Sequence, residues 1–535
     1  RVLMRTGRLT EARNALEKGA ASEEETPIQT PRAHRETLLL LSLVYSFSGI
    51  QNKAYDTALQ GTLRGSQLKS PYVSAVGYMR QGHALMLKRG ENDLFEHYSA
   101  SRELFEKSIE LSRNLEVPRL AVEANWGLCR ASGYQGDLIA AQSYAQDAIE
   151  IADRAGDEWV SSMVRLTMGA SLMLAERYEA GEEWLSRALL GFQECSDAFG
   201  LTATRLWLSY ALLKQKRFER LESLLPEILT KCRTEHYDFL FTTSSTLGAP
   251  DERIFIPLLL YANEKDWESA YIAQLLEKLG LSGIQQHPGY QLRVRTLGAF
   301  QLWLGNERLP SRGWRREKAK QLFQLLLTYR DKALDRDQIC DHLWRDAEPA
   351  TAQRNFKIAL NTLYQVLEPD REPGSPSAYI TRDGTRYRLR PEADIWLDAA
   401  RFIEMTQPAS PPDFGLVHDA LNLYRGEYLP DTLYEPWAAE ERERLTATFL
   451  ESADALTEHF LAEERYTDAI ELSQRILAQD NCWERAYRHQ MLAYNALGDH
   501  GQIGRTYQRC VQTLHDELDV SPAPETEELY SRLTE

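Results

Sequence analysis

Apolar residues in the first half of the chain recur every three or four positions. The pattern predicts helices of roughly 12–18 residues separated by short polar turns, with scarcely a strand signal. The pattern itself repeats. Tyr98, Leu138, Tyr178 and Phe218 occupy equivalent places, each 40 residues after the last. From them HYSASRELFEKSIELS, DLIAAQSYAQDAIEIA, RYEAGEEWLSRALLGF and RFERLESLLPEIL align without gaps, each as the second helix of a pair. The first helices precede them, as in AVEANWGLCRASGYQG and SSMVRLTMGASLMLAER, and GRLTEARNALEKG and NKAYDTALQGTL look like two earlier copies. Stacked helix pairs of this kind make an α-solenoid. Ala140, Ala141 and Ala148 would let paired helices approach closely, and Trp126, Trp159, Trp184, Trp207 and Trp267 at helix-pair spacing read as interface filling, with the lining of a groove as the alternative. Residues 233–254 interrupt the period and read as a structured loop without an assigned role.

The pattern then changes. GLSGIQQHPGYQ, rich in Gly, Gln and Pro, marks a boundary. Alternation at Leu292/Val294 and Phe300/Leu302/Leu304 predicts strands. DRDQICDHLW reads as a short helix with Asp335 as N-cap and Gln338 in capping-box position. A brief turn leads to a helix that Pro349 starts. Its apolar stripe is Ala352, Phe356, Ala359, Leu360, Leu363, Val366 and Leu367. Arg354, Lys357, Ile358, Asn361 and Gln365 lie opposite, with Tyr364 on the flank. After a Pro/Ser/Gly loop, AYITRDGTRYRL predicts a hairpin turning at Asp383-Gly384, with Arg386, Arg388 and Arg390 on one face. From Asp398 the chain is helical again, and Tyr466 and His500 repeat at 34 residues. The expected domains are 1–285, 290–391 and 392–535, and the fold class is mostly α: a solenoid, a central winged helix-turn-helix of α+β type, and a C-terminal helical domain.

Helix, short turn, polar-faced helix and basic hairpin together suggest nucleic-acid reading. Arg354 and Lys357 can donate to guanine, Asn361 and Gln365 can pair with adenine, and Ile358 can touch a thymine methyl. Arg382, Thr385, Arg386 and Arg388 belong to a wing able to lie along phosphates. The charge distribution sharpens this reading. The whole chain of 535 residues carries −17, yet residues 291–390 carry +7, leaving −24 on the remainder. A basic footprint confined to the winged-helix region suits DNA, and the acidic remainder suits protein contacts.

Other chemistries find no support. None of the 30 glycines is followed by lysine, so Walker A is absent. There is no H-E-x-x-H, G-x-S-x-G or kinase signature, and the reading is not an enzyme. Six scattered cysteines, without a C-x-x-C pair, are expected to be reduced thiols, with no metal and no cofactor. Apolar runs such as LLLLSLVYSF fall short of a membrane span. The chain opens mid-helix at Arg1 rather than at Met, so an upstream part is expected, and any nucleotide-binding domain would lie there.

The carrying residues LRVRTLGAFQLWLGNERL, RREKAKQLFQLLL, DRDQICDHLW, RNFKIALNTLYQVLEP and YITRDGTRYRL resemble an OmpR-type winged helix of SARP and AfsR-like regulators. IWLDAARFIEM, ALNLYRGEYLPD, WAAEERERL and the run from ERYTDAIELSQ to ELDVSPAPETEELY resemble the family's bacterial transcriptional activator domain. The resemblance departs at Tyr364-Gln365, where many relatives carry consecutive arginines. The first half resembles the tetratricopeptide-type region of MalT-like regulators. The resemblance implies a cytoplasmic, sequence-specific DNA-binding regulator, an activator that recruits RNA polymerase, and it allows a dimer on DNA. The solenoid would receive a protein or peptide partner. The rival reading is a tetratricopeptide scaffold or signalling adaptor whose winged helix serves mainly protein contacts.

Overall fold

The computed structural model describes residues 1–24, 33–67, 69–88, 95–407 and 413–535. They form two compact units, Arg1–Tyr290 and Gln291–Glu535. No helix among the described residues is long and apolar enough to cross a membrane.

The first unit is all helical among its described residues. A short α1 (Val2–Arg5) leads to α2 (Leu9–Glu24), α3 (Ala33–Phe47), α4 (Gln51–Gln67) and α5 (Pro71–Leu85). The regular pairs follow: α6 (Tyr98–Asn114), α7 (Arg119–Tyr134), α8 (Leu138–Arg154), α9 (Glu158–Leu174), α10 (Tyr178–Glu194), α11 (Ala198–Lys214) and α12 (Phe218–Glu235). Tyr98, Leu138, Tyr178 and Phe218 are thus the first residues of α6, α8, α10 and α12, so the 40-residue register is the register of the helix hairpins. Each second helix buries one stripe. In α8 that stripe is Ala141, Ala145, Ala148 and Ala152, whose missing side-chain bulk lets neighbours close in. Ala140 lies beside the stripe and stays half-exposed. The first helices α7, α9 and α11 have a different character, buried on nearly every side because each is packed between hairpins. Trp126 and Trp207 are fully buried, Trp159 nearly so, and Trp184 and Trp267 pack half-buried against the same core.

The expected loop at 233–254 has more structure than its composition indicated. Helix α12 runs on to Glu235, His236 ends it in the left-handed conformation, and a one-turn α13 (Phe239–Thr242) follows. Residues 244–250 are then completely buried inside the solenoid. A buried loop must find partners for its backbone, and here helix side chains supply them. Arg130 Nη2 donates to the Ser245 carbonyl at 3.2 Å, Tyr134 Oη to the Gly248 carbonyl at 3.3 Å, and Trp207 Nε1 to the Leu247 carbonyl at 3.1 Å. The Thr246 amide donates to the Ser46 carbonyl at 3.2 Å. Gly49, at φ 68°, admits this approach, since a Cβ there would sit 2.9 Å from the Ser244 carbonyl oxygen. Helices α14 (Ile256–Glu264) and α15 (Ser269–Lys278) close the unit.

The second unit opens with β1 (Leu292–Arg295), β2 (Gln301–Leu304) and β3 (Glu307–Arg308). Three helices follow: α16 (Glu317–Thr328), α17 (Arg336–Leu343) after β4 (Leu334–Asp335), and α18 (Pro349–Leu367). The hairpin β5 (Ile380–Asp383) and β6 (Arg386–Leu389) gains β4 as a third strand, order β4-β6-β5. A strand that alternation did not announce, β7 (Ile395–Leu397), pairs parallel with β1 and completes a sheet ordered β3-β2-β1-β7. Helices α19 (Asp398–Met405), α20 (Phe414–Leu423), α21 (Ala439–Ala462), α22 (Tyr466–Gln479), α23 (Glu484–Ala496), α24 (His500–Leu518) and α25 (Pro524–Thr534) make the helical remainder, with Tyr466 and His500 again first residues.

The winged helix and this remainder are bound by buried and partly buried polar contacts. Asp398, the first residue of α19, accepts from the Thr296 amide and hydroxyl and from the Leu297 amide at 2.7–2.9 Å. Thr328 and Tyr428 share a 2.9 Å hydroxyl hydrogen bond, and Arg330 pairs with Glu441 at 2.9 Å.

Candidate nucleic-acid interface

The presentation of α18 begins at the cap of α17. Asp335 accepts from the Asp337 amide at 3.0 Å, and Gln338 Oε1 accepts from the Asp335 amide at 2.9 Å, closing the expected capping box. Pro349 occupies the first turn of α18, where a missing N–H costs nothing. All seven predicted stripe residues, Ala352 to Leu367, are buried. Phe356 meets the Tyr387 ring edge-on, with centroids 4.9 Å apart, so the helix packs directly on the wing.

With that face buried, the opposite one is set. Arg354, Lys357, Asn361 and Gln365 are exposed, and Ile358 lies half-buried among them. Tyr364 differs from the rest. It is half-buried, the Arg371 guanidinium lies 4.4 Å above its ring, and burial raises its phenol pKa. It is therefore a shoulder of the face rather than a projecting group.

The hairpin turns one residue later than expected. Asp383 pairs with Arg386, leaving Gly384 and Thr385 as the two-residue loop, with Gly384 at φ 59° as a first loop residue of II′ type requires. Tyr387 and Leu389 point inward, so Arg386 is exposed and Arg388 half-buried on the outer side. Arg390 leaves this set: its Nε donates to the Ser377 carbonyl at 2.7 Å. Arg382 is exposed at the edge, its Nε donating to the Gly384 carbonyl at 2.8 Å. Thr385 donates its hydroxyl to Asp335 at 2.5 Å, tying the wing tip to the α17 cap. Asp335 also stands opposite Arg386 across the β4–β6 pair. The Thr385 hydroxyl, the Asp337 amide and the Arg336 and Arg386 charges hold its carboxyl below the usual range. This acidic neighbour of the wing was not visible from the hairpin sequence, because it arrives on a strand 50 residues earlier.

A second basic surface was also missed. Arg293 and Arg295 alternate on β1, away from buried Leu292 and Val294, and with Arg308 their guanidiniums lie 4.6–5.8 Å from the Trp303 ring centroid. The i, i+2 spacing on β1 was legible; the cross-strand Trp303 that gathers the three needed the pairing register.

The model of the bacterial transcriptional activator domain matches residues 411–534. The chain is similar to Regulatory protein AfsR of Streptomyces coelicolor, 25% identical over 265 residues, covering 46% of this chain and 26% of that protein. It is likewise similar to Regulatory protein AfsR of Streptomyces griseus, 25% identical over 246 residues, covering 45% and 24%. The chain therefore spans about a quarter of the length of the curated relatives it matches. Among solved structures it is similar to Mycobacterium tuberculosis EmbR in complex with a low-affinity phosphopeptide, at 20% identity and TM-score 0.39, covering 46% of this chain and 65% of that one.

Proposed function

We propose that this chain, which carries a match to the bacterial transcriptional activator domain and is similar to Regulatory protein AfsR, is a SARP-type transcriptional regulator that binds specific DNA through α18 and activates transcription by contacting RNA polymerase. The observation that carries the reading is the exposed set Arg354, Lys357, Asn361 and Gln365, lined up opposite a fully buried stripe. Such a face has no use in the chain's own core. Its donors and amides match the edges that bases present in the major groove, with Ile358 as an apolar contact and Tyr364 as flanking support. Arg382, Arg386 and Arg388 run along the neighbouring backbone, and Thr385 holds the wing in place. Phosphate contacts position the domain and base contacts specify the site. Contact with RNA polymerase and a cytoplasmic setting rest on the family alone, and the solenoid is assigned to a protein or peptide partner.

The deciding experiment is selection of bound DNA from a random library by the full chain, repeated with Arg354→Ala and Asn361→Ala. One enriched motif is expected, with each substitution costing about 1–3 kcal/mol on the best site and relaxing preference at the base it reads. No enrichment, or a motif unchanged in both variants, would favour a scaffold whose winged helix makes protein contacts.

A further inference from the structure

Within the first unit lies a cavity of about 510 Å³, bounded by α1, by the first helices α3, α5, α7 and α9 of successive pairs, and by the end of α8. That volume is within the roughly 300–1,000 Å³ that small-molecule sites occupy. Its walls are mainly apolar, with Leu43, Val76, Met79, Leu120 and Val160 among them and Trp159 at one end.

The polar lining is unequal in charge. Arg1, Arg5, Arg80 and Arg119 contribute to it, against Glu123 and Asp157. Arg80 is engaged deep in the wall: its Nη1 pairs with Glu123, and its Nε donates to the Leu39 carbonyl at 3.1 Å. The other end is where the excess lies. Asp157 takes both terminal nitrogens of Arg5, at 3.0 and 2.9 Å, and one of Arg119 at 2.7 Å. The Arg5 guanidinium also lies 4.8 Å from the Trp159 ring centroid. Two cations there share one carboxylate. Burial alone would lift the Asp157 pKa, but the two guanidiniums outweigh it and the group stays ionised. A guanidinium carries five N–H donors, and the Arg119 side chain is 66% exposed at the cavity rim, so a second acceptor can be received beside Asp157.

We propose that this cavity binds a small amphiphilic carboxylate, its aliphatic body against Leu43, Val76, Met79 and Leu120 and its anionic end at Arg5 and Arg119. The apolar walls supply affinity in proportion to the chain length buried. The arginine pair supplies selectivity, because a carboxylate adds charge–charge attraction and a second acceptor oxygen to its hydrogen bonds there, which a hydroxyl head group lacks. An amine of the same length would meet like charge. The site is independent of DNA reading, so its test does not involve DNA.

Calorimetric titration of the full chain with dodecanoate, below its aggregation limit, is compared with dodecan-1-ol. Saturable one-to-one binding of the acid is expected, roughly tenfold or more tighter than the alcohol. Arg119→Gln, at an exposed position, should bring the acid down to the affinity of the alcohol while leaving the alcohol unchanged. Val76→Phe should fill the cavity and weaken both ligands alike. Melting curves establish that each variant is folded, and Arg119→Gln suffices alone if Val76→Phe is not. The proposal is overturned by the absence of saturable dodecanoate binding, by equal affinity for acid and alcohol, or by an unchanged acid affinity in a folded Arg119→Gln.

Discussion

Asp398 shows how much one buried carboxylate can organise. It is 2% exposed and gathers donors from Thr296, Leu297 and its own neighbour Ala399. Replacing it with Asn keeps the shape but turns an NH₂ group toward backbone N–H groups. Leaving buried donors unmet costs about 1–3 kcal/mol, so Asp398→Asn should lower the unfolding free energy of the second unit by that amount. Denaturant titration of residues 291–535 checks it, and an unchanged midpoint would mean these contacts carry no net stability. Asp398 was legible as the point where helix resumes, but not as a clamp, because its partners lie 101–102 residues earlier. The stripe of α18 was legible in full, since 3.6-residue periodicity is local information. The placement of Tyr364 under Arg371 was not, because a loop residue seven positions on supplies the cover.

At the scale of elements, the proposed DNA reading divides two tasks between the wing and α18. Arg386 and Arg388 face outward from a hairpin whose inner residues, Tyr387 and Leu389, pack below. Neutralising both to Gln should weaken binding of every DNA sequence about equally. It should also make the logarithmic salt dependence shallower by about 0.9 for each phosphate no longer neutralised. Asp335 faces Arg386, so Arg388 should account for more of the weakening than its half-burial suggests. Binding isotherms at several salt concentrations on matched and random DNA test this, and an effect confined to the matched site would place an arginine in a groove. Turn chemistry announced the hairpin. The strands β4 and β7 are too short to carry an alternation signal. Two- and three-residue strands become visible only through their partners.

For the molecule as a whole, charge separates along the chain. The positive excess lies in residues 291–390 and the acidic excess outside them. A fragment of residues 291–535, one compact unit, should bind DNA specifically and at least as tightly as the full chain. The gain should be small, since screening confines exposed charges to about 8 Å at physiological salt. Residues 1–290 alone should bind none. Mobility-shift titrations of both fragments and the full chain at two salt concentrations decide this, and specific binding that needs residues 1–290 would overturn it. The 40-residue repeat made the architecture of that first unit readable, because stacked hairpins are locally encoded.

The buried segment 244–250 alters what such a stack would otherwise do when it unfolds. An ordinary solenoid melts piecewise, each repeat answering only to its neighbours, so its ends fray before its middle. Here Arg130 and Tyr134 are joined to that segment across 115 and 114 residues, and Tyr237 donates to the Gly7 carbonyl across 230. These long closures are expected to bind early and late repeats into one cooperative event. They also slow its formation, because the entropy of closing a long loop is spent before the distant partners meet. Amide hydrogen exchange across α3 to α12 should accordingly report a single opening free energy rather than a gradient from the ends.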